Sequence, residues 1–321
     1  VGDMALVNPN ATKAAKDVYA FLVQNIGKKI VSGAMANVNN NNDFSDWIDK
    51  ITGVYPGMTC YDFIHLPESG QNWIDYNDIT PAQAQWNAHG MVGYMWHWRV
   101  PTDKDAYDKK DYNRYGARVP GDNVDGPTEF DIREALKEGT WQHEFILADL
   151  DKVSAVFKKL EAAGIAVLWR PLHEASGGWF WWGASGADAY LQLYKLMYDR
   201  LTNVHGLNNL IWVWNGQDAA WYPGDEYVDI IGEDIYPGKH VYTSQAARFI
   251  KALSYTDTRK LITLSENGCI PDPEQLVRDN IMWSYWCVWE GEFVLKAAGF
   301  NNYSEQYTEK NMLKKAYKSD T

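Results

Sequence analysis

The chain alternates short apolar runs with longer stretches in which apolar side chains recur every three or four residues. The first pattern reads as buried strands, the second as amphipathic helices. Eight apolar runs stand out, at 29–33, 57–63, 90–96, 166–172, 209–214, 228–235, 261–265 and 281–288. Several, such as IAVLW and LIWVW, are almost continuously apolar, as strands covered on both faces must be. Helices are best marked at three places. The stretch 145–163 opens among acidic residues and ends in a lysine-containing turn before Gly164, which complements the helix dipole and supplies a stop. Tyr190, Tyr194, Met197 and Leu201 mark one face of a helix over 187–204. A helix over 12–26 is expected to turn Val18, Phe21 and Leu22 inward and to stop at Gly27.

Strand followed by helix, repeated, implies a parallel sheet with helices outside it. Eight such units suggest a closed (β/α)8 TIM barrel of the α/β class. The alternative is a doubly wound open sheet, and no GxGxxG follows the first strand. No repeat, low-complexity tract or linker divides the chain, so a single domain over 1–321 with extended βα loops is expected. The stretch 101–143 is too long for an ordinary βα loop. Because βα loops build the active face of a barrel, it is expected to form a wall of a substrate cleft.

With 46% hydrophobic and 22% charged residues in 321, a sizeable core is available. The net charge of −12 argues against nucleic acid and against an anionic membrane surface. It leaves a neutral substrate open. The chain carries 16 Trp and 20 Tyr. Any one Trp is most simply a core residue, but the excess favours a carbohydrate cleft, since flat apolar rings with polar edges suit pyranose faces. Cys60, Cys269 and Cys287 show no CxxC or zinc spacing and allow at most one bridge. No run of 18 apolar residues occurs, and the opening VGDMALVNPN has no signal character. N-x-S/T patterns at Asn10 and Asn302 are short enough to be chance.

In a barrel, residues at the C-terminal ends of strands face the active site. Those ends carry His97-Trp98, Arg170 through Glu174, Trp214-Asn215, Glu233 through Tyr236, Glu266-Asn267-Gly268 and Trp286 through Trp289. Glu174 after the fourth strand and Glu266 after the seventh lie on opposite sides of an eight-stranded barrel. Glycoside hydrolysis needs two such carboxyl groups, one protonated and one ionised. Either alone could be a buried partner of Arg170. In the run GGWFWWG at 177–183, Phe180 and Trp181 read as a plug under the rim, while Trp179 or Trp182 would offer a sugar platform. The pair His173-Glu174 does not begin HExxH, and GxSxG and P-loop patterns are absent. The other histidines lack metal-like spacing, so neither metal nor cofactor is expected.

WRPLHEASGGWFWWG at 169–183, VDIIGEDIY at 228–236 and LITLSENG at 261–268, with KKIVSGA and the WHW at 96–98, resemble glycoside hydrolase family 26, whose members are mostly endo-β-1,4-mannanases. The resemblance implies Glu174 as acid/base and Glu266 as nucleophile. It implies His173 near the sugar 2-hydroxyl, Arg170 steadying the glutamates, and His97 lining the −1 region. Tyr236 would hydrogen-bond the nucleophile, Trp289 would floor the −1 subsite, and Trp179 would stack on the acceptor side. The candidate substrate-binding set is therefore His97, Trp98, Arg170, His173, Trp179, Trp182, Asp234, Tyr236 and Trp289. Many relatives have Arg after the last-strand tryptophan; Glu290 stands there instead, which alters a distal donor contact. The expected partner is β-mannan, met outside the cytoplasm: secreted, periplasmic or at the cell surface. The alternatives are a β-1,3-1,4-glucanase or β-1,4-xylanase of the same family, or a non-catalytic carbohydrate-binding barrel.

Overall fold

The computed structural model describes residues 4–71, 73–294 and 303–321; Asn302 lies outside them. Eight parallel strands close into a barrel. They are β1 (Val31–Met35), β2 (Met58–Asp62), β3 (Met91–Met95), β4 (Val167–Arg170), β5 (Leu210–Trp214), β6 (Ile230–Ile235), β7 (Leu261–Asn267) and β8 (Tyr285–Val288). All eight overlap the apolar runs, and β8 closes the ring on β1 through Val31–Tyr285 and the following pairs. The helices used below are α1 (Lys13–Gln24), α2 (Asp43–Thr52), α3 (Thr80–Asn87), α4 (Trp141–Ala162), α5 (Ala187–Asp199) and α6 (Ala246–Leu253). α5 runs on into a π-helical turn, Arg200–Val204. The link from β5 to β6 departs from strict alternation. It holds only the 3-10 turns Ala219–Trp221 and Asp225–Tyr227.

Side chains alternate between two cores. Inward-facing Met58, Met91, Leu168, Ile211 and Ile230 fill the barrel, and α1 caps its lower mouth with Tyr19, Leu22 and Val23. Phe21 was expected to face inward but is 48% exposed. The buried face of α1 is set by Ala15, Tyr19, Leu22 and Val23, and Phe21 falls outside that stripe. Outward-facing Trp169 and Trp212 pack under the helices with Phe157, Tyr194 and Met197. Much of the tryptophan excess is spent here rather than in a cleft. Trp96, Trp98, Trp169, Trp181, Trp182, Trp212, Trp214 and Trp283 are all under 2% exposed. All three thiols are free and buried.

The 101–143 segment is ordered. Val100–Pro101 pairs antiparallel with Tyr115–Gly116. Beyond that pair, Val119 N–H donates to the Trp179 carbonyl at 3.0 Å, and Trp181 N–H donates to the Ala117 carbonyl at 3.0 Å. The insertion is thereby sewn to the aromatic loop that follows β4.

Candidate active site

Glu266 lies on β7 opposite Asp234 of β6, where the ladder slips by one residue after Glu233. A bulge of this kind re-aims the side chains around it. Glu233 faces the helices, fully buried, and accepts from Arg248 Nε of α6 at 3.0 Å. Asp234 faces the barrel axis, where its Oδ1 accepts from Ser265 Oγ at 2.6 Å.

Arg170, buried at the end of β4, binds both inner carboxylates. Its Nη2 donates to Glu266 Oε2 at 2.7 Å, and its Nη1 donates to Asp234 Oδ2 at 3.0 Å and Asn215 Oδ1 at 2.7 Å. The planar guanidinium fork spans both carboxylates in a way that a lysine could not. The Tyr236 hydroxyl donates to the other carboxylate oxygen, Glu266 Oε1. Gly268 makes room for it, because a Cβ there would stand 2.7 Å from the Tyr236 ring.

Glu174 arrives by a strained turn. Leu172 and Glu174 both have φ of 53°, a left-handed conformation costing a side-chain-bearing residue roughly 1–2 kcal/mol. The turn is held by Glu174 N–H to the Asn215 carbonyl (2.8 Å) and Ser176 N–H to the Gly216 carbonyl (3.2 Å). Trp182 Nε1 fixes its middle by donating to the His173 carbonyl at 2.9 Å. As a result, carboxylate oxygens of Glu174 and Glu266 and a ring nitrogen of His173 all lie within 4.8 Å of one another.

These three side chains form a group with possible metal-ligating atoms. However, Glu266 already accepts from Arg170 and Tyr236, and a guanidinium 2.7 Å from the carboxylate opposes a second cation there. The donor set fits proton chemistry better than metal binding.

The electrostatics divide the carboxyls. Burial and then the Glu266 charge raise Glu174. Burial raises Asp234 to about 8, with the Glu174 charge adding to it and Arg170 opposing. Burial and Asp234 push Glu266 up to about 7, while Arg170, Tyr236 and His97 pull it down. The group titrates together. Asp234 and Glu266 each have a donor on both oxygens, but Glu174 and Asp234 also hydrogen-bond one another, so a proton is shared between those two and the negative charge settles on Glu266. Burial, then the charges of His97, Arg170 and Arg118, hold His173 well below its usual range, so its ring is neutral. Burial works against charged His97, but Asp62 outweighs it and raises its pKa. His97 Nδ1 is 2.5 Å from Asp62 Oδ2. Glu290 is raised to about 7, by burial and then by Asp62 and, more weakly, Glu266.

Most of the candidate residues converge. His97 meets His173 at 4.7 Å and Trp289 at 5.7 Å between ring centroids. Trp289 is partly exposed, and Trp179 is 39% exposed with its ring folded over Gly177. Two expectations are corrected. Trp182 has no exposed surface and stacks on Phe180 at 4.4 Å, so it braces the His173 turn and presents no face to a sugar. Trp98 is 1% exposed, stacks on Trp96 at 4.0 Å and donates to Asp149 Oδ2 at 2.9 Å, which turns it away from the cleft.

Sequence reading passed over three contributors. Asp62 ends β2, and the strand-end rule that selected His97 would have selected it. Asn215, noted only as a strand end, buttresses Arg170 and both backbone contacts of the Glu174 turn come from its segment. Arg118 lies over the Phe180 ring at 5.7 Å; its place depends on the fold of the insertion and leaves no local signal.

The model of glycosyl hydrolase family 26 matches residues 7–316, and the chain belongs to this family. It is 38% identical over 301 residues to mannan endo-1,4-beta-mannosidase A of Piromyces sp, covering 91% of this chain and 46% of that protein. It is 33% identical over 318 residues to the mannan endo-1,4-beta-mannosidase of Thermothelomyces thermophilus, covering 98% and 61%. The chain thus spans about half the length of the first curated relatives it matches. Among solved structures, the GH26-CBM35 β-(1,4)-mannanase of Podospora anserina superposes with a TM-score of 0.84 at 33% identity, over 99% of this chain and 67% of that one. A β-mannanase from a symbiotic protist of the termite Reticulitermes speratus, complexed with gluco-manno-oligosaccharide, gives 0.85 at 34% identity, over 98% and 94%.

Proposed function

We propose that the chain is one catalytic unit, a retaining endo-β-1,4-mannanase that cleaves β-1,4-mannosidic bonds in mannan, glucomannan or galactomannan. The observation that carries this is the approach of the Glu174 and Glu266 carboxylates to within 4.8 Å. Retaining glycosidases hold their carboxyls about 5–5.5 Å apart, whereas inverting ones need about 6.5–9.5 Å to admit a water. Glu266, ionised by Arg170 and Tyr236, attacks the anomeric carbon while Glu174 gives its proton to the leaving oxygen. Glu174, now a base, takes a proton from water, which displaces Glu266 with net retention. Neutral His173 faces the sugar between the two carboxyls. Trp289 and His97 line the donor side, and Trp179 offers its open face to the acceptor side. The relatives' names support mannan as substrate, and a polymer of that kind is met outside the cytoplasm. No helix among the described residues is long and apolar enough to cross a membrane.

Reducing-sugar release from mannan, mixed-linkage glucan and xylan tests the substrate, with mannan expected to lead clearly. Equal or faster cleavage of glucan or xylan would reassign it. Proton NMR of the first products should show the β-anomer, and an α-anomer would remove the retaining mechanism. Glu266→Ala should lose at least about 10⁴-fold in kcat while still binding manno-oligosaccharide.

A further inference from the structure

A cavity of about 380 Å³ opens on the flank of the barrel, between the 101–143 insertion and α4. None of its lining residues belongs to the cleft described above. That volume falls in the range of small-molecule sites. Its walls are aromatic and polar together: Tyr107, Tyr112, Tyr115 and Phe145 surround Asp149 and Lys152. The rings pack edge to face, Tyr112 on Tyr115 at 5.3 Å and Tyr115 on Phe145 at 5.9 Å.

Asp149 is the notable member. It is 4% exposed, and its Oδ2 accepts from Trp98 Nε1. Its Oδ1 has the Lys152 ammonium at 3.7 Å, beyond hydrogen-bond reach. Burial pushes this carboxyl up to about 6 against the pull of Lys152 and Trp98. Burial, then the Asp149 charge and the hydroxyls of Tyr112 and Tyr107, raise the Tyr115 phenol. Several oxygens therefore converge on one space. Asp149 lines the cavity, and its Oδ1, paired with Lys152 only at 3.7 Å, can accept a hydrogen bond from a ligand there.

Charge selects the ligand. Asp108 and Asp149 oppose an anion, Lys110 and Lys152 oppose a cation, and an apolar molecule would leave Asp149 without a donor. A neutral polyol satisfies every wall: hydroxyls meet the carboxylate and phenols, and C–H faces meet the rings. We propose that this cavity is a second carbohydrate-binding site, taking a hexopyranose residue of the polysaccharide outside the catalytic cleft. It rests on the mannanase assignment for the identity of the sugar, and it would hold the enzyme against an insoluble chain.

The Tyr107→Ala/Tyr112→Ala double variant tests it. Both rings are partly exposed, and neither touches the glutamates. Hydrolysis of soluble mannopentaose should stay within about two-fold of the parent, which also reports folding. Affinity for insoluble mannan, measured by depletion, should fall by about ten-fold, as expected for loss of stacking faces in a small site. Crystals of the Glu266→Ala protein soaked in mannotriose should show a sugar ring beside Asp149. Unchanged depletion binding by the double variant, or an empty cavity in soaked crystals whose cleft is filled, would overturn the proposal. A parent enzyme inactive on every mannan would instead refute the assigned activity. The cavity would then be read by NMR titration with gluco- and xylo-oligosaccharides, and failure to bind any of them would end the proposal.

Discussion

At the scale of single residues, the site works by unequal treatment of like groups. Glu174, Asp234 and Glu266 are all carboxyls in one buried space, yet Glu174 and Asp234 share a hydrogen bond while Glu266 takes its donors from Arg170 and Tyr236. A donor to the charged form lowers a carboxyl pKa. Tyr236→Phe should therefore raise the pKa of Glu266 and move the acid limb of the kcat/KM profile to higher pH. It should also lower kcat by about ten-fold or more, the weight of a hydrogen bond to a charged group; an unmoved acid limb would show that Tyr236 does not tune Glu266. The two tryptophans of the aromatic loop should separate cleanly. Trp179→Ala removes an open ring face and should raise KM while leaving the denaturation midpoint close to the parent's. Trp182→Ala opens a cavity in the core and frees the His173 carbonyl, so it should lower stability by about 3–5 kcal/mol, read by chemical denaturation. In the sequence these two residues look alike. Their neighbours in space, Gly177 under one and Phe180 against the other, distinguish them.

At the scale of elements, the strands were legible because each is an apolar run bounded by turn residues. Their ends were legible because parallel β/α order sends them all to one face. Phe21 misses the buried stripe of α1 by its angular position, and the β5–β6 link spends its residues on two 3-10 turns rather than a helix. The bulge between β6 and β7 and the left-handed turn at Leu172 and Glu174 had no sequence signature, since each is imposed by contacts from neighbouring segments. Asp229 shows how far such contacts reach. It receives Val7 N–H at 2.8 Å and Trp212 N–H at 2.8 Å, tying the N-terminal segment to β5. Burial raises it from 3.8 to about 6. A carboxyl raised in the folded state binds more protons there than when unfolded, so its contribution to stability falls as pH climbs from about 4 to about 6. Asp229→Asn should flatten that part of the stability profile while lowering the midpoint at every pH through its weaker acceptor. A midpoint that kept the parent's slope across this window would exclude Asp229 as the source.

At the scale of the molecule, net charge bears on partners and not on fold. The substrate proposed is neutral, so kcat/KM on soluble mannan should change by less than about two-fold between roughly 0.05 and 0.5 M salt; a steep salt dependence would mean that the −12 charge takes part in substrate encounter. The barrel, its family and its two glutamates could be read from the chain because they depend on periodicity, on strand order and on a contiguous motif around Glu174. The tryptophan excess pointed to sugar binding, yet most of the fully buried rings serve the packing between barrel and helices. Long-range arrangement alone set the protonation pattern, the left-handed turn beneath Glu174, the turning of Trp98 and Trp182 into the core, and the flank cavity around Asp149. Each of these depends on which side chains from distant segments share one dry space, where desolvation and pairing outweigh local preference.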